Sequence, residues 1–90
     1  MSRIAYLSID VPPSRQGELS RALGANVRDI RSEQQLSITA LARISGICRP
    51  LLMKIEKGES DVRLSYVERL SAALCVSPLE LLTPKDTNMP

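Results

Sequence analysis

Between Ser37 and Gly58 the chain reads SITALARISGICRPLLMKIEKG, and this stretch restricts the fold more than any other. Leu41 and Ile44 stand three apart ahead of Gly46, and Leu52 and Ile55 stand three apart behind it. That is helical spacing on both sides of a glycine, whose tolerance of positive φ lets the chain reverse at once. Ser37 supplies an N-cap for the first run. Pro50 is acceptable only in the first turn of a second helix beginning near Cys48, where its missing N–H has no intrahelical partner. Two short helices that cross steeply need Leu41, Ile47, Leu52 and Ile55 inside, the small Ala42 at the crossing and Gly46 in the turn.

The flanks extend the pattern. Leu19, Leu23, Val27 and Ile30 fall at helical spacing before this pair, and Leu64, Val67, Leu70 and Leu74 do so after it. The later helix starts either with Ser65 and Glu68 as a capping box or at an earlier residue. Ser77, Pro78 and Glu80 combine a cap, a first-position proline and a third-position acid, opening a last helix that runs through Leu82 to Thr83-Pro84. Residues 4–11, IAYLSIDV, alternate instead with the period of a half-buried strand, stopped by Pro12-Pro13. The expected fold is all-α, a five-helix orthogonal bundle with a short N-terminal β-strand arm. Residues 1–17 form the arm, 18–82 the domain and 83–90 a flexible tail. With no second strand in the chain, residues 4–11 are expected to be disordered, to lie against the helices or to pair with another molecule, pairing across a dimer being favoured.

Ninety residues suffice for one core, and a chain with no Trp, no Phe and two Tyr must build it from aliphatic side chains. No stretch approaches the roughly 20 apolar residues of a membrane span, and the N-terminus lacks a secretory pattern, so a cytoplasmic protein is expected. The two cysteines, Cys48 and Cys75, have no metal-site spacing and no His to join them, so no metal or other cofactor is expected. Without His, a glycine-rich phosphate loop or clustered carboxylates, an enzyme is not expected either. The net charge of +2 is unevenly spread: residues 19–57 carry seven bases against three acids, and residues 58–90 three bases against five. A basic middle favours a polyanionic partner.

In order, Val27-Arg28-Asp29-Ile30-Arg31, Leu41-Ala42, Gly46-Ile47, Ile55-Glu56-Lys57-Gly58 and Leu70 through Leu74 to Val76-Ser77 make the chain similar to a known family. It resembles the Cro/phage-repressor (Xre-like) helix-turn-helix DNA-binding domains over about residues 23–82, with the motif at about 37–57. The resemblance implies a lambda-repressor-like bundle and a partner in double-stranded DNA. It also implies that the helix after Gly46 enters the major groove. On a helical wheel with Leu52 and Ile55 inward, the outward set is Arg49, Pro50, Met53, Lys54 and Lys57. Arg49 leads the base readers, since a guanidinium near the helix start can meet guanine O6 and N7 together, and Lys54 is second. Met53 and Leu51 either touch thymine methyls or pack at a core edge or dimer surface.

By the same resemblance Ser37, Lys57 and Ser60 contact phosphates, with Arg43 and Arg63 added from the basic zone, and such contacts position without specifying. Arg31 and Glu56 match a structural ion pair between the first and third helices. The chain departs from the family pattern at Ile38, where a phosphate-holding Gln is usual, and at Cys48, Pro50 and Cys75, the last in place of a common Gly. Cys48 is either a redox-sensitive thiol at a helix start or a small residue that fits. The implied function is a homodimeric, sequence-specific transcription regulator, a repressor or autoregulator reading a palindromic operator. The alternative is a protein-interaction module, such as the antitoxin of a toxin pair, with a protein partner docked through residues 4–11.

Overall fold

The computed structural model describes residues 17–85, so the strand expected over 4–11 lies outside the described residues. Within them are five helices: α1 Glu18–Glu33, α2 Ile38–Ser45, α3 Arg49–Glu56, α4 Leu64–Leu74 and α5 Pro78–Leu82. Local chemistry sets most of these boundaries. The Ser37 hydroxyl accepts from the Ala40 N–H at 2.9 Å, and α2 ends on Gly46 at φ 75°. The Ser77 hydroxyl accepts from the Glu80 N–H at 3.1 Å, with Pro78 at the first position of α5. Proline is also in the first turn of α3, behind Cys48, whose thiol makes no capping bond.

One expected cap does not form. α4 begins at Leu64, so Ser65 is already inside the helix and the Ser65–Glu68 box gives way to the earlier start, at Arg63, which has no side-chain capping bond. At its other end α4 stops on Cys75, which adopts the left-handed conformation at φ 60°. This is the position where the resemblance implies a common glycine, which adopts the left-handed conformation without strain.

The core is aliphatic. Leu23, Val27 and Ile30 from α1 meet Leu41, Ile47, Leu52, Ile55, Val67, Leu70, Leu74 and Leu81, all buried. Each such side chain contributes about 1.5–3 kcal/mol relative to an exposed one. Leu19, Ile44 and Leu64 keep the helical period but not the burial, being 63%, 54% and 76% exposed. Each sits at or next to the end of its helix, where the period continues but no neighbouring helix covers it.

α1 is the spine: α3 packs on it and on α2, while α5 packs on it and on α4. It also closes the ends of two other helices. Asn26 is buried, and its Nδ2 donates to the carbonyls of Leu81 and Thr83, each at 2.8 Å, satisfying the end of α5. Gln34 Nε2 donates to Leu74 O at 2.7 Å and does the same for α4. Beyond α5, Lys85 Nζ reaches Asp29 Oδ2 at 3.2 Å, an exposed ion pair with α1. No helix among the described residues is long and apolar enough to cross a membrane.

Candidate nucleic-acid interface

Three contacts fix α3 relative to the rest of the domain. The tightest is at Gly24, in the middle of α1. A Cβ there would lie 2.1 Å from the Ile55 carbonyl oxygen and 3.0 Å from that of Glu56, so only glycine lets the two helices approach this closely. Beside it, Arg31 Nε donates to Glu56 Oε2 at 2.7 Å and Arg31 Nη2 to Glu56 Oε1 at 3.0 Å, while Nη1 donates to Leu36 O at 2.9 Å. The Glu56 hydrogen bond holds the Arg31 guanidinium above its ordinary pKa, against the opposing effect of burial. The turn is fixed from inside: buried Ser45 accepts from the Ile47 N–H at 3.3 Å, and Arg69 Nη1 donates to Gly46 O at 3.3 Å from α4.

Held this way, α3 buries Leu52 and Ile55 and turns Arg49, Pro50, Met53 and Lys54 to solvent, with Lys57 following at its C-cap. Leu51 is half-buried against the core, and Met53 is 43% exposed. The side chains of Arg49, Lys54 and Lys57 have no hydrogen-bond or ion-pair partner among the described residues. The one acid of α3, Glu56, is occupied by Arg31. The outward face is therefore cationic and apolar with no free carboxylate of its own.

The remaining residues expected at the backbone are more scattered. Ser37 and Arg43 lie exposed at opposite ends of α2, and Arg63 is exposed just ahead of α4. Ser60 lies apart, half-buried in a cleft it shares with Gly17, Ser20, Gly58, Glu59 and Asp61. Two carboxylates there make it the least suited of the set to a phosphate.

Gly24, Asn26 and Ser45 carry much of the site's support and were not singled out by sequence reasoning. A glycine inside an apolar-periodic helix is a signal of close backbone approach, and Gly24 carried it. Asn26 and Ser45 have no comparable mark, because a polar residue at a helical position reads as solvent-facing until its tertiary partners are known.

A helix-turn-helix domain family model matches residues 22–83. The chain belongs to the Xre-like helix-turn-helix family. It is 38% identical over 66 residues to the control protein C.SmaI of Serratia marcescens, a match covering 73% of this chain and 79% of that protein. The restriction-modification controller C.AhdI of Aeromonas hydrophila superposes with a TM-score of 0.66 at 32% identity, over 69% of this chain and 94% of the other. A hypothetical transcription factor from Neisseria, NHTF, gives a TM-score of 0.74 at 31% identity, over 78% and 79%. Of two longer Pyrococcus relatives the match spans only 22% and 23%. Family membership makes this a DNA-binding domain of the transcription-regulator class.

Proposed function

We propose that the chain is a sequence-specific transcription regulator that binds as a homodimer to a two-fold operator, laying α3 in the major groove of each half-site. The observation that carries this is the division of α3 into a buried edge of Leu52 and Ile55 and an outward face where Arg49, Lys54 and Lys57 have no partner among the described residues. Arg49, at the first position of the helix, reads guanine through O6 and N7, and Lys54 reads the next turn. Pro50 and Met53 add an apolar surface suited to thymine methyls. Ser37, Arg43, Lys57 and Arg63 hold the sugar-phosphate backbone, with Ser60 the weakest member.

Dimerisation has support in apolar surface away from α3. Leu64 and Leu79 are 76% and 75% exposed, on α4 and α5, which a second copy would cover. Two half-sites about one helical turn, or about 34 Å, apart are then expected. As a repressor or autoregulator, the protein acts by occupying its own promoter region. The likeness to C.SmaI and C.AhdI favours control of a restriction-modification operon as the setting.

Sedimentation of the free chain and of its complex with duplex DNA tests the proposal. One dimer per two-fold site is the expected result. A monomer that binds isolated half-sites at all accessible concentrations contradicts it.

A further inference from the structure

We infer that Arg28, on α1 and outside the helix-turn-helix motif, grips a backbone phosphodiester of the DNA together with Lys57. The inference rests on the regulator reading above and extends its footprint to a helix that the motif does not include.

The starting point is the close approach at Gly24. Because α1 and α3 meet backbone to backbone there, the next turn of α1 is carried along the C-terminal half of α3. Arg28 lies one turn beyond Gly24, and a cleft of about 270 Å³ opens at this place, lined by Arg28, Arg31, Met53, Glu56 and Lys57. Its lining divides into two parts. Arg31 and Glu56 neutralise one another at 2.7 Å and form a wall without net charge. Arg28 and Lys57 are exposed, come from different elements, and have no side-chain partner among the described residues.

The acids that would ordinarily quench such a pair are committed elsewhere. Asp29, next to Arg28 in sequence, is bonded to Lys85 at 3.2 Å, and Glu56 is bonded to Arg31. Two cations with no counter-charge across a small open cleft form a seat for a single anion. A guanidinium suits the role because it can meet two phosphate oxygens with parallel N–H donors, and the Lys57 ammonium adds a point charge.

The anion's source follows from continuity. Met53 and Lys57 belong both to this cleft and to the outward face of α3, so a duplex lying on that face brings its own backbone to the cleft mouth. The contact is one of position, blind to sequence.

The test uses the full chain and its Arg28→Gln, Arg28→Lys and Lys57→Gln variants. Binding is measured across a salt series to a duplex selected from a random library and to an unrelated duplex. Arg28→Gln is expected to weaken both several-fold, to lower the salt slope by about 1, and to leave the selected motif unchanged. Arg28→Lys should keep the slope, since it keeps the charge. Melting should be unaltered, since the Arg28 side chain has no bond to lose. An Arg28→Gln protein with wild-type affinity and slope, beside a weakened Lys57→Gln protein, overturns this inference alone. A wild-type chain that selects no motif overturns the regulator reading and this inference with it.

Discussion

Arg31 and Glu56 form a two-point ion pair across the α1–α3 interface, Nε to Oε2 at 2.7 Å and Nη2 to Oε1 at 3.0 Å, with side chains only 18% and 9% exposed. The pair joins α3 to α1 and so holds the helix that carries Arg49, Met53 and Lys54 on its outward face. Glu56→Ala leaves the guanidinium partly buried with only the Leu36 carbonyl as partner. The loss should fall between the limits for exposed and buried pairs, at about 2 kcal/mol. Chemical denaturation measures it directly, and a change within experimental error would show that the pair is dispensable. Because Glu56 raises the Arg31 pKa, the guanidinium's contribution is present at every pH below the unfolded arginine value. It is lost only as pH climbs through the still higher folded value, so the Arg31 side contributes no pH dependence around neutrality.

Gly24→Ala is the harshest small substitution the structure offers. The new methyl would stand 2.1 Å from the Ile55 carbonyl oxygen, which is backbone and cannot swing aside. Separating α1 from α3 should cost at least about 3 kcal/mol, at the upper end for overpacking. Any folded remainder should bind DNA poorly because α3 is displaced. A Gly24→Ala protein with a wild-type unfolding midpoint would mean that α1 and α3 are not packed this closely.

Asn26 couples the first helix to the last. Asn26→Ala removes the donor to Leu81 O and Thr83 O, leaving carbonyls at the end of α5 unpaired, and should cost about 1–3 kcal/mol. Asn26→Asp should cost more, because it sets a carboxylate against carbonyl oxygens. Hydrogen exchange should show the loss first in α5. Uniform loss of protection across all helices, with none concentrated there, would contradict the capping role.

Much of the framework was legible because it is local. Ser37, Gly46, Pro50 and the Ser77-Pro78 start act on their own turn of chain, and the structure shows each doing so. Burial at Leu41, Ile47, Leu52 and Ile55 follows from the same short-range geometry. Reading failed where the outcome depends on a distant partner. Leu19, Ile44 and Leu64 hold the period of their helices, yet whether anything covers a helix end is decided by the whole bundle. The start of α4 was open between Ser65 and an earlier residue, and the Val67 N–H donating to the Arg63 carbonyl at 3.2 Å selects the earlier one. At the candidate site, the outward set of α3 was legible from a helical wheel. Arg28 was not, because its place depends on Gly24 bringing two helices together.

Cys75 offers the opposite test, a substitution that should help. Its φ of 60° strains a residue with a side chain by about 1–2 kcal/mol, partly offset in Cys75→Gly by the greater entropy glycine loses on folding. A net gain of about 0.5–1 kcal/mol is expected, seen as a rise in Tm. A lower Tm would mean that the exposed thiol makes a contact worth more than the strain.

The central claim is that the face of α3 reads sequence while its surroundings hold the backbone. Selection from a random duplex library, run in parallel for wild type, Arg49→Ala and Lys57→Ala, separates the two roles most directly. Wild type should enrich a two-fold motif. Arg49→Ala should lose preference at one position in each half-site, at about 1–3 kcal/mol, and Lys57→Ala should keep the motif but bind all sequences more weakly. An unchanged motif for Arg49→Ala, or no motif for wild type, would contradict the claim.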